Sequence, residues 1–150
     1  RKLGREVAKI LKEADMMEQL ACTSFNFFML RDLEKENRGV PSGFAYDDNM
    51  PLSLQKLNWL LEANAIGRFI HSNIVCAEHI LIDEDTVNKY HKRDMKVGTF
   101  TLYPLTPEAP PQEKLEYYSA EVKRLANLGV DWIESDNPEL VWKDIQSLQL

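Results

Sequence analysis

Apolar positions recur at helical spacing over residues 2–18, where Val7, Ile10, Leu11, Ala14 and Met17 share one face. The period then shortens. "QLACTSFN" (residues 19–26) predicts a compact strand ending in polar residues, and Asn26 stands ready to cap a helix carrying Met29, Leu30 and Leu33. That helix fades in the charged "EKENRG", and "VPSGFAY" (40–46) predicts a second strand before the loop "DDNMP". The apolar run "LSLQKLNWLLEANA" predicts a further helix, with Gly67 just beyond it. Residues 72–80, "SNIVCAEHI", hold a third strand, and Asp83 caps a helix with Val87, Tyr90 and His91 on one side. "MKVGTFTLY" (95–103) predicts a fourth strand. A proline-rich loop, "PLTPEAPPQ", then leads to a helix turning Leu115, Tyr118, Val122 and Leu125 inward. Gly129 sits where a helix C-cap needs a residue tolerant of positive φ. Residues 130–134 predict a fifth strand, and Asn137 as N-cap with Pro138 in the first turn begins a last helix, 138–148.

The predicted order is a helix followed by five strand–helix repeats, with no hairpin signal between neighbouring strands. Such alternation predicts a parallel sheet with right-handed crossovers. Strands covered on both faces read as short apolar runs, as "IVCA" and "VDWI" do. The chain of 150 residues has room for only part of a (β/α)₈ barrel, which takes about 250 residues. No Gly-x-Gly-x-x-Gly fingerprint occurs, which removes the commonest reason to prefer a dinucleotide-binding sheet. The expected fold is therefore α/β, a single domain over residues 1–150 forming part of a TIM barrel.

Charge narrows the partners. A net charge of −6 and a pI near 5.1 argue against nucleic acid, whose phosphates call for a basic patch. No apolar run reaches the length of a transmembrane segment, and no signal-peptide pattern is visible. The chain opens on Arg1 rather than Met, with helical pattern close behind, which reads as a cut within a longer protein. Cys22 and Cys76 both lie in apolar, strand-like contexts and are expected to be buried free thiols.

Three stretches together resemble the glycerophosphodiester phosphodiesterase family. "TSFNFFMLRDLEKENRGVPSGFAYD" is similar to a family segment in which a Ser-Phe-Asn or Ser-Phe-Asp strand end precedes a helix and a Pro-containing strand. "SNIVCAEHILIDEDTVNKYHKRDMKVGTFTLY" is similar to the family's strand, Ala-His helix end, glycine and "WTVN" strand. "LGVDWIESDNPE" is similar to the ending "GVDGIITDYP". The resemblance runs from about Leu20 to Val141 and corresponds to the carboxyl-terminal half of the family's barrel. Residues 129–135 would then close the barrel, leaving three strands in a missing amino-terminal half.

The resemblance implies metal-assisted hydrolysis of a glycerophosphodiester to an alcohol and glycerol phosphate. A divalent cation, Mg or Ca, would neutralise phosphoryl charge while two histidines move protons. In the family those groups lie in His-Arg-Gly, Glu-Asn-Thr and Glu-x-Asp stretches, none of which occurs here. The catalytic set and most metal ligands are thus expected in the missing half, and this chain alone is expected to be inactive. Departures are visible as well. Phe100 stands for the usual Trp, Tyr103 for Asn, and Asp94 for the glycine that ends a helix. The loop at 104–111 is long for its position.

The candidate substrate-binding residues are Phe100 and Tyr103, as pocket-lining aromatics, with Ser24 and Asn26 at a pocket rim. Phe100 serves equally as core filling, and Asn26 equally as a helix cap. His71, His79 and His91 lack zinc-binding spacing. Glu78 and His79 follow a strand, on a barrel's functional face, yet a structural role is preferred for both; loop solvation is preferred for Asp47 and Asp48. Two other readings stay open: a non-catalytic barrel acting as a binding or scaffold module, and a lipid-directed relative akin to the phospholipase D toxins.

Overall fold

The structure is a computed structural model describing residues 2–16, 20–37, 40–50 and 73–148. Its elements are α1 (Lys2–Glu13), β1 (Cys22–Ser24), α2 (Phe27–Glu36), β2 (Ser42–Tyr46) and β3 (Ile74–Glu78), followed by a 3₁₀ turn (His79–Leu81). After these come α3 (Glu84–His91), β4 (Lys96–Leu102), α4 (Gln112–Leu128), β5 (Trp132–Ser135) and α5 (Pro138–Gln146). Five strands form one sheet in chain order, β1-β2-β3-β4-β5. The ladder is parallel at β1/β2, where Cys22 faces Ser42, and at β4/β5, where Gly98 faces Trp132. Strands in sequence order with parallel neighbours are what repeated βα units produce, as the alternation predicts. The predicted helix over "LSLQKLNWLLEANA", Gly67 and His71 lie outside the described residues.

The chain divides into two compact units, Arg1–Cys76 and Ala77–Leu150. In the first, Ala8, Leu33 and Val40 form a buried cluster, with Val7, Leu11, Leu20 and Cys22 packed against it. Helices α1 and α2 approach closely at Gly4, where an added Cβ would meet the Met29 carbonyl oxygen at 2.3 Å. Helix α1 stops at Glu13 rather than running to residue 18, because the chain turns at Asp15 with φ of 52°. Asn26 caps α2: its Oδ1 accepts from the Phe28 and Met29 amides at 3.0 and 3.3 Å. Cys76 is buried and Cys22 half-buried, and no disulfide joins them; burial raises the Cys22 thiol pKa.

In the second unit Val87 and Tyr90 of α3, Val97 and Leu102 of β4, and Tyr118, Val122 and Leu125 of α4 are buried. Leu115, expected inward with them, is only half-buried. Asp83 caps α3 through the Thr86 amide at 2.8 Å, a bond that lowers the carboxyl pKa. Asp94 closes that helix in the left-handed region, φ 59°, at the position where glycine is usual. Gly129 ends α4 at φ 80°. Strand β5 starts at Trp132, two residues later than predicted, because Val130 and Asp131 complete the turn.

Candidate functional site

The site is built where β4 and β5 end. Side chains alternate along a strand, so Gly98 and Phe100 of β4 share a face with Trp132 and Glu134 of β5. Thr99, Ile133 and Ser135 take the other face. Between Thr99 and Leu102 the register slips by one residue, so Thr99 pairs with Ile133 but Leu102 with Ser135. This β-bulge places Thr101 at φ 66° and is tied by the Ser135 hydroxyl, which donates to the Leu102 carbonyl at 2.6 Å. Left-handed backbone at a β-branched residue costs about 1–3 kcal/mol and gathers at functional sites. A cavity of about 260 Å³ opens beside the bulge, lined by Phe100, Thr101, Glu134, Ser135 and Asp136. The Trp132 indole N–H donates to Glu134 Oε1 at 3.1 Å, and Asp136 Oδ2 accepts from the Leu105 amide at 3.0 Å.

Tyr103 does not join this cavity. With φ of 50° it turns toward the helices, buried, and donates its hydroxyl to Asp144 Oδ2 of α5 at 2.5 Å. Ser119 of α4 donates to the other oxygen of Asp144 at 2.7 Å. Burial first, then the Asp144 carboxylate, push the phenol pKa well above its ordinary value, so Tyr103 stays a proton donor to Asp144. Its ring packs on Tyr118, and both line a second, more apolar cavity of about 150 Å³ under the proline-rich loop, with Pro104, Pro110, Leu115 and Leu140 among its walls. The long loop therefore folds over α4 and α5.

The remaining candidates fall elsewhere. Ser24 and Asn26 belong to the first unit, where the Ser24 hydroxyl accepts from the Asn26 amide at 3.0 Å and the Asn26 side chain caps α2. Asp47 and Asp48 lie in a turn in which the Met50 amide donates to the Asp47 carbonyl. His79 is buried, and its Nδ1 lies 3.1 Å from Glu121 Oε2. Arg124 grips the same carboxylate at 2.8 and 2.9 Å and donates to the carbonyls of Ile82 and His79 at 2.7 and 3.0 Å. The Arg124 bonds outweigh burial and, with His79, hold the Glu121 carboxyl below its ordinary range. This network fastens the 3₁₀ turn to α4. Asn137 occupies the N-cap position of α5, but its side chain makes no capping bond; its amide donates to the Ser135 hydroxyl instead.

His91, the last residue of α3, pairs through Nε2 with Asp131 Oδ2 at 2.9 Å, at the opposite end of β4 from the cavity. Asp131 also accepts from the Val97 amide at 2.8 Å and meets Lys96 at 2.8 Å. Burial pushes the Asp131 pKa up, but the bonds from Lys96, Val97 and His91 outweigh it, and the net shift is downward. A depressed carboxyl stabilises the fold fully above the ordinary value of about 3.9, and that contribution is lost as pH falls through the folded value. Asp131→Asn is accordingly expected to cost about 1 kcal/mol at pH 7. In urea titrations the gap to the parent chain should narrow at pH 3; an equal gap at both would refute the assignment.

Trp132, Glu134, Asp144, Glu121 and Arg124 escaped the sequence reasoning. A signal for two of them was present: aligned with "GVDGIITDYP", Trp132 stands at a glycine and Glu134 at an isoleucine. Partners such as Tyr103–Asp144 and His79–Glu121 lie about 40 residues apart and carry no local signature. Among the described residues no three His, Cys, Asp or Glu side chains converge to hold a metal ion. These residues do not by themselves fit a divalent cation, which takes at least six oxygen ligands.

Parallel strands alternating with helices, with a cavity at the carboxyl ends of β4 and β5, define part of a (β/α)₈ barrel with its functional face. No protein-family model matches the chain, and no curated protein matches it in sequence. Solved structures do. A proposed glycerophosphoryl diester phosphodiesterase from Silicibacter pomeroyi is similar at TM-score 0.69 and 16% identity, over 98% of this chain and 44% of its own. A phosphodiesterase from Oleispira antarctica, solved with the product sn-glycerol-3-phosphate, is similar at TM-score 0.63 and 17% identity, over 95% and 49%. A glycerophosphodiester phosphodiesterase from Agrobacterium tumefaciens gives TM-score 0.64 and 14% identity, over 96% and 52%. The chain spans about half the length of these solved relatives, and its fold is that of half a glycerophosphodiester phosphodiesterase barrel.

Proposed function

We propose that these residues form the carboxyl-terminal half of a metal-dependent phosphodiesterase that hydrolyses glycerophosphodiesters to an alcohol and glycerol phosphate. The observation that supports this most is the fold match, which takes in nearly the whole chain and half of each relative. In this reading the general acid and base, and the carboxylates holding Mg or Ca, belong to an amino-terminal half. The part played by this half is to bind and exclude water. Phe100 walls the cavity at the end of β4, while the bulge and the bond from Leu105 to Asp136 fix the loop beside it. Ser24 and Asn26 stand at the end of β1, where such barrels collect their binding loops. Tyr103 sets the wall of the neighbouring apolar cavity rather than meeting the phosphoryl group. The partner is a small molecule, and no described helix is long and apolar enough to cross a membrane.

The test is an assay of glycerophosphocholine hydrolysis with magnesium or calcium. The 150 residues are expected to show no turnover alone and measurable turnover when the upstream half-barrel is supplied as a second chain. Hydrolysis by the isolated chain would defeat the placement of the chemistry.

A further inference from the structure

The proline-rich segment between β4 and α4 carries a pattern that phosphodiester hydrolysis does not use. It opens "PLTP", residues 104–107, the one place in the 150 residues where Ser or Thr directly precedes Pro, with a second proline two residues before that Thr. The two prolines stiffen the segment from both sides. Pro fixes its own φ at about −65°, and the residue before Pro is kept out of the helical region, so Thr106 favours extended backbone. Thr106 is also exposed. A protein kinase takes its target hydroxyl on an extended, accessible segment, and a stretch already stiffened by proline loses less conformational entropy on entering such a cleft. Because Pro107 offers no N–H, the pattern suits kinases that accept proline directly after the target residue.

The hydroxyl already has a task. Thr106 Oγ1 donates to the Glu108 carbonyl at 2.5 Å, closing the bend at Pro107 and Glu108. One residue earlier, the Leu105 amide ties the loop to Asp136 Oδ2 at 3.0 Å. Thr106 and Glu108 both wall the apolar cavity of about 150 Å³, with Tyr103, Pro110 and Leu115, and no lysine, arginine or histidine lines it. A phosphorylated threonine carries a charge of about −1.5 to −2 at neutral pH and has no hydroxyl proton to donate. At Thr106 it would lose the bond to Glu108, face the Glu108 and Asp136 carboxylates, and sit against an apolar lining that cannot solvate it.

We infer that Thr106 is a phosphorylation site for a proline-directed protein kinase, and that its phosphorylation lifts the loop 104–111 off the groove between α4 and α5 and uncovers the apolar cavity beneath. The γ-phosphoryl group of a nucleoside triphosphate passes to Thr106 Oγ1. An O–P bond forms there, the bridging bond to the β-phosphate breaks, the nucleoside diphosphate leaves, and the hydroxyl proton goes to solvent. Neither the transfer nor the release depends on which reaction the barrel catalyses.

The test incubates the full chain with a mitogen-activated protein kinase and magnesium ATP, then maps phosphate by mass spectrometry and follows hydrogen exchange over residues 103–111. One phosphate on Thr106 is expected, with incorporation lost in Thr106→Val and reduced severalfold in Pro107→Ala. No incorporation, or equal incorporation in Thr106→Val, would overturn the site. Exchange over 103–111, the Leu105 amide included, should quicken severalfold on phosphorylation and return to its starting rate after phosphatase treatment. Thr106→Val loses the bond to Glu108 without gaining charge, so it should release the loop less than the phosphate does; equal release would overturn the part assigned to charge. Unchanged or slower exchange in the phosphorylated chain would overturn the release. Lys114, whose Nζ stands over the Tyr118 ring at 5.8 Å, is the cation through which a phosphate would tighten the loop instead.

Discussion

Gly98→Ala is expected to destabilise the chain by about 2 kcal/mol, seen as a lower urea midpoint with an unchanged slope. Gly98 pairs with Trp132 across the β4/β5 ladder, and the indole lies directly over it. A Cβ at Gly98 would stand 2.0 Å from Cε2, 2.1 Å from Cζ2 and 2.6 Å from Nε1 of that ring. No carbon tolerates such approaches, so the ring or the strand must move. The indole resists because it is rigid and its N–H is bonded to Glu134. The effect is therefore a property of the pair. Combining Gly98→Ala with Trp132→Gly should cost clearly less than the sum of the two single changes, a coupling above about 0.5 kcal/mol. Additive costs would show that the glycine is kept for some other reason.

Arg124→Ala is expected to cost about 2–3 kcal/mol, the largest loss from any single side chain in the His79 network. The guanidinium neutralises Glu121 and satisfies the carbonyls of His79 and Ile82 at the same time. Its removal leaves a carboxylate that is 15% exposed facing His79 alone, and two carbonyls without that donor. The Arg124 side chain is itself 38% exposed, which keeps the figure well below that of a fully buried pair. Arg124→Lys should recover only part of the loss, because an ammonium cannot span both carbonyls and grip a carboxylate twice. Hydrogen exchange at the 3₁₀ turn is the sharper readout: faster exchange over residues 79–82 is expected, and unchanged protection there would show that the turn does not depend on Arg124.

Helix boundaries were the most legible part of the chain, because their signals are local. Asn26 and Asp83 cap the helices that follow them, and Asp94 and Gly129 end theirs with positive φ, as their side chains allow. The parallel order of the strands followed from alternation alone. The candidate site was legible only in part. Phe100 does line a cavity at a strand end, but Tyr103, three residues on, lines a different one. Regular alternation would not predict that, since the extra residue at the bulge is set by pairing with β5 and by the Ser135–Leu102 bond. Asn137 shows the same limit: its position as N-cap was plain, whereas the choice of the Ser135 hydroxyl as partner depends on the neighbouring strand end.

The bulge has a further consequence for how such a chain can vary. Because one surplus residue inverts inside and outside for everything after Thr101, the segment 103–111 leaves the sheet on its helical side and occupies the groove between α4 and α5. Lengthening or rewriting that segment remodels the outer cavity without intruding on Phe100 and Glu134. Two adjoining chambers, one answering to strand residues and the other to an appendage, are thus divided by a single misaligned rung and stay tied to each other where the Leu105 amide holds Asp136.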